Sequence, residues 1–129
     1  TLSLHDALPI WPTSLVVTAT AAVGVAVTAT LPSVTGLRHY IDFIKITRSA
    51  TAALTASATP VVITTTNLPG TPAFTLGQDA GGVGVDREIN LDAGGTGLAG
   101  LSPSTNTTIV CPAYVGVIWR INVGYRVGL

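Results

Sequence analysis

The run Gly36-Leu37-Arg38-His39-Tyr40-Ile41-Asp42 places a cation, an imidazole, a phenol and a carboxylate close together in the chain. Hydrolysis of the Ser–His–acid kind needs a histidine within hydrogen-bond reach of a serine and an acid. On a regular strand His39 and Asp42 differ in parity, so they point to opposite faces unless a bulge intervenes. No motif brings a serine or another acid to His39. The residue types therefore favour a structural histidine, its ring hydrogen-bonded where a strand begins. A metal role would need ligands from other chains, as when histidines meet on a three-fold axis. No catalytic residues and no cofactor are assigned.

Asp79, Asp86 and Asp92, with Glu88, lie among glycines. Loop carboxylates and carbonyls can bind calcium, but this spacing does not match the 12-residue calcium loop. Calcium at Asp79, Asp86 and Asp92 is a minor expectation beside plain solvation, and Asp86-Arg87-Glu88 reads as a polar strand start. Gly81-Gly82-Val83-Gly84 lacks the following helix and Lys-Ser/Thr of a phosphate cradle. Its glycines read as turn formers. Cys111 is the single cysteine, so no internal disulfide exists. It sits in a mostly apolar run with no basic neighbour to activate it. It reads as a small buried side chain. Trp119 and Tyr125 could stack on sugars, but they alternate with Val and Ile and read as core. Asn106-Thr107-Thr108 matches the glycosylation acceptor pattern, read here as chance.

The elements that must carry these residues are strands. Thr and Val are stiff at χ1 and favour pleated surfaces. Val115, Val117, Trp119, Ile121, Val123, Tyr125 and Val127 alternate with Gly116, Ile118, Arg120, Asn122, Gly124, Arg126 and Gly128. Period two puts the first set on a core face. A second alternation runs through Val23, Val25, Val27, Ala29 and Leu31, and Pro32 ends it. Leu37 to Arg48 is a third strand. Its pattern changes phase, so either both faces are buried or a bulge lies near Phe43. Val61 to Thr66, bounded by Pro60 and Asn67-Leu68-Pro69-Gly70, is a fourth. Leu15 to Thr20, Ala73 to Leu76, Arg87 to Leu91 and Thr107 to Cys111 are shorter candidates. Ser49 to Thr59 reads as a loop or a short helical turn. Seven or eight strands at this spacing predict an all-β antiparallel sandwich, jelly-roll-like.

Charged residues make up 9% of the chain, against about 25% in typical soluble domains. Such a chain hides surface in an assembly or presents a neutral Thr/Ser/Gly face. Six basic residues face six acidic ones, which gives no basic footprint for nucleic acid. The apolar runs are far short of the ~20 residues of a membrane helix. Neither nucleic acid nor membrane is expected as a partner, and no signal peptide is visible.

Several blocks resemble a group of small uncharacterised proteins of tailed bacteriophages and their metagenomic relatives. They are Gly36 to Ile41, Ala52-Ala53-Leu54-Thr55, Ala58-Thr59-Pro60-Val61-Val62, Thr64 to Phe74, Thr107 to Pro112 and Val117-Ile118-Trp119-Arg120. The resemblance spans about Val23 to Val127, but Gln78 to Gly100 has no counterpart in it. It implies a virion-associated jelly roll of the trimeric tumour-necrosis-factor-like kind, and it carries no catalytic residues. The expected role is a non-enzymatic decoration, tail or host-contact component. It would be made in the bacterial cytoplasm and found in the particle, acting as a homo-oligomer, most simply a trimer, beside other virion proteins. Arg38, His39, Tyr40, Asp42, Arg120 and Arg126 are the candidate subunit-contact or surface residues. The alternative is a carbohydrate- or receptor-binding module using the loops Gly77 to Asp86 and Asp92 to Gly100. Those loops contain no Trp, Tyr or Phe.

Thr1 to Ile10, TLSLHDALPI, resembles the one-frame translation of a common sequencing adapter. That places the native start of the domain at or before Trp11, makes 11–129 a single domain, and takes His5 and Asp6 out of functional consideration.

Overall fold

The computed structural model describes residues 14–51, 54, 57–78, 86–93 and 97–129. The adapter-like segment, Asp79 and Gly81 to Gly84 lie outside them. The described residues contain nine strands and no helix. In chain order these are β1 (Leu15–Thr20), β2 (Val27–Leu31), β3 (Arg38–Ala50), β4 (Ser57–Thr65), β5 (Phe74–Gln78), β6 (Asp86–Asp92), β7 (Leu98–Ala99), β8 (Thr107–Cys111) and β9 (Val117–Gly128).

Two antiparallel sheets form. One runs β1-β9-β3-β6, with the two-residue β7 pairing onto β3; the other runs β2-β8-β4-β5. Successive strands cross between the sheets except at the β4–β5 and β6–β7 steps. This is the order of a jelly roll. The expected all-β sandwich is what the chain forms, with eight main strands and the short β7.

Strand alternation builds the core. Val117, Trp119, Ile121, Val123 and Tyr125 of β9 all point inward, as do Val27, Ala29 and Leu31 of β2 and Ile109 and Cys111 of β8. Trp119 Nε1 donates to the Pro112 carbonyl at 2.9 Å, so its one polar atom is satisfied inside. The phase change in β3 is a bulge. Ile41 pairs with Tyr125 and Phe43 with Gly124, which leaves Asp42 as the extra residue. His39 and Ile41 therefore face inward before the bulge, and Ile44, Ile46 and Arg48 face inward after it.

Three expectations need correction. Val115, Val23 and Val25 are not strand residues on a core face: they sit in turns and are 88%, 49% and 47% exposed. Gly24 and Gly116 adopt φ of +79° and +80°, which ends each alternation in a reversal. Pro60 does not bound β4 but lies within it. The β4–β5 register shifts between Ser57 and Val61, and an irregularity of that kind is where a strand accepts proline.

Candidate functional site

His39 is held from both sides inside the sandwich and is 2% exposed. The Pro32 carbonyl is 2.8 Å from Nε2, and the Thr107 hydroxyl is 2.8 Å from Nδ1. A carbonyl only accepts, so the proton is assigned to Nε2, and Nδ1 accepts from Thr107. Thr107 Oγ1 in turn accepts from Asn67 Nδ2 at 2.9 Å. One directional chain results: Asn67 to Thr107 to His39 to Pro32. Asn67 also anchors the segment after β7, since its Oδ1 accepts from the Ser102 amide at 2.9 Å. Tyr125 meets the imidazole edge-on, with centroids 5.5 Å apart. The partners of the imidazole itself, Thr107, Tyr125 and the Pro32 carbonyl, are buried side chains or backbone, while Asn67 is half-buried.

The remaining candidates lie on the outer side of the same sheet. At the bulge, Asp42 Oδ1 accepts from Arg126 Nε at 3.1 Å and Nη2 at 2.7 Å. Arg38 donates to the carbonyls of Gly100 and Leu101. The Tyr40 hydroxyl donates to the Leu129 carbonyl. Arg120 is exposed, next to Thr47 and Thr20 in register. Lys45 and Glu88 form an open pair at 3.6 Å. So five of the six candidates share one outer face. His39 is the exception: it points into the core, because its parity before the bulge is that of Ile41, and it has no place in a surface contact.

The carboxylates are not brought to His39. Asp42 faces the opposite side of the sheet. Asp86 and Asp92 stand at the two ends of β6, about 20 Å apart at the rise of an extended strand, so they cannot share one calcium ion. Among the described residues no group of three His, Cys, Asp or Glu side chains is placed to hold a metal. Burial pushes the Cys111 thiol up to about 12, which disfavours the nucleophilic thiolate.

Three residues without an assigned role in the sequence matter here. Arg48 is 1% exposed on the inner face of β3, and its shared parity with Ile44 and Ile46 signalled this. Thr107 and Asn67 complete the histidine chain. Their pairing spans 40 positions, and that of His39 with Thr107 spans 68, so no local pattern could announce it. Of the two loops considered for glycan recognition, Gly77 to Asp86 lies mostly outside the described residues, whereas Asp92 to Gly100 is described except at 94–96 and contains β7.

Charge is segregated between the two sheets. Every charged residue among those described belongs to β3, β6 or β9. These three strands are neighbours in one sheet. The other sheet, β2-β8-β4-β5, has none, and its exposed side chains include Thr28, Thr30, Val62, Thr64 and Thr75. Compared with known proteins, the chain matches no protein-family model and no curated protein sequence.

Proposed function

We propose that this chain is a non-enzymatic structural component of a phage virion, a jelly roll that assembles with copies of itself, most simply as a trimer. The observation that carries the reading is the charge segregation. A sheet with no charged residue can be buried against a like surface without stranding an ion, provided its threonine hydroxyls find partners across the contact. The charged sheet, with Arg120, Lys45 and Glu88 outermost, supplies solubility. The phage-like blocks support the same reading: Gly36 to Ile41 and Thr64 to Phe74 supply His39 and Asn67 of the internal chain, which is scaffold chemistry. The polar side chains of the Arg38–Asp42 run are engaged in internal bonds, with nothing arranged around a bound molecule. The test is the gene neighbourhood of this reading frame. Capsid or tail genes beside it are expected; a metabolic operon would contradict the role.

A further inference from the structure

We infer that neighbouring copies meet at one end of the uncharged sheet, where Val115 of one copy seats in an apolar groove of the next. The inference rests on the self-assembling role proposed above and names its contact.

Two tight turns form this end. The Val25 amide donates to the Ala22 carbonyl at 3.2 Å, and the Val117 amide to the Tyr114 carbonyl at 3.2 Å. Each turn has glycine at its third position with φ near +80°, the type II arrangement. That geometry places valine at the outer corner: Val23 in one turn and Val115 in the other. The corners are braced. The Gly24 amide donates to the Val117 carbonyl at 2.9 Å, and the Thr51 amide to the Gly116 carbonyl at 2.8 Å. The Thr51 hydroxyl adds a second bond to that carbonyl at 3.1 Å. Val115 is thus a fixed apolar knob, 88% exposed, and it loses little conformational freedom on docking.

The groove begins at the residues just before the knob. Pro60, Val62, Pro112, Ala113 and Tyr114 line an open groove of about 350 Å³. Val62 is 43% exposed in it. No charged residue occurs in 14–37, 49–78 or 93–119, so the knob, the groove and strands β2, β4, β5 and β8 are neutral. An anionic nucleic acid or an acidic lipid surface finds no cation here. A second copy offers a matching neutral knob and groove on the same surface. Such a pair closes either as a two-fold contact or as a ring, with each knob in the next groove.

The test compares the solution mass of the full chain with three variants: Val115→Asp, Val62→Asp and Val16→Asp. Val16 is 60% exposed on β1, in the charged sheet, and serves as the control. The wild type is expected to be an oligomer. Val115→Asp and Val62→Asp should each weaken assembly about thirty-fold or more, as for a central contact residue, and shift the mass toward 13.1 kDa. Val16→Asp should leave the mass unchanged. The melting temperature of Val115→Asp at a concentration where both are monomeric should match the wild type, since the side chain is free of the core. An oligomer that survives both groove and knob substitutions would overturn this contact and leave self-assembly standing. A monomeric wild type would overturn both.

Discussion

The ring of Phe43 lies across Gly124 on the neighbouring strand: a Cβ built on Gly124 would stand 2.2 Å from Phe43 Cε1 and 2.6 Å from Cδ1. The two residues are directly paired in the β3–β9 register, one step after the Asp42 bulge. The bulge turns Phe43 to the outer side, and only a residue without a side chain lets the ring lie flat on β9. The pair closes a gap that glycine would otherwise leave in a central strand.

Gly124→Ala is therefore expected to destabilise the fold by about 1–3 kcal/mol, the usual cost of overpacking. Phe43 is 38% exposed and its ring can swing out, so the lower half of that range is expected. Phe43→Ala in the same chain should remove most of the penalty. A double-mutant cycle by denaturant unfolding measures the coupling; additive effects would mean that the ring does not define the Gly124 position.

Thr107→Val keeps the shape of β8 but breaks the histidine chain at its middle. His39 Nδ1 then lacks its donor in a buried setting, and the half-buried Asn67 Nδ2 loses its nearest acceptor but keeps the Ser102 and Thr105 carbonyls at 3.4 Å. The expected cost is about 1–3 kcal/mol for groups left unsatisfied, read by thermal unfolding. Asn67→Ala should act more locally and speed amide exchange at Ser102, whose N–H loses its partner. Wild-type exchange at Ser102 in that variant would sink the anchoring role of Asn67.

How much of this was legible in the sequence depends on the range of the contact. Two of the eight main strands, β2 and β9, follow from period-two patterns, the phase change in β3 allows either two buried faces or a bulge near Phe43, and the others show only as short runs between turn residues. Alternation carried too far at Val23, Val25 and Val115. A glycine in a type II turn and a glycine in a strand keep the same parity, so the pattern could not separate them. Two-residue β7 is too short to show any period. Long-range pairings such as His39 with Thr107 leave no local trace. The charge segregation was present in the sequence but became meaningful only once β3, β6 and β9 proved to be neighbours.

Cys111 is expected to resist thiol reagents in the folded protein and react only on unfolding, since it is fully buried. Its ionisation also fixes a sign. Its folded value is raised from 9.0 to about 12, so the unfolded thiol gives up its proton first. The stabilisation is complete below about pH 9 and is lost as pH rises toward 12. Burial raises Tyr125 as well, which adds alkaline sensitivity of the same sign. Cys111→Ala should flatten part of the fall in melting temperature between pH 9 and 11. An unchanged alkaline slope would contradict this assignment.

Removal of residues 1–10 should leave the melting temperature within error, because the adapter-like segment has no expected role in the sandwich. A drop of several degrees would show that it belongs to the folded protein.

We propose that this neutral-faced jelly roll works as an assembly of identical copies. Light scattering on the full chain at micromolar concentration addresses it most directly. A stable multiple of the 13.1 kDa chain is expected, with three copies favoured. A well-folded monomer at that concentration would contradict it.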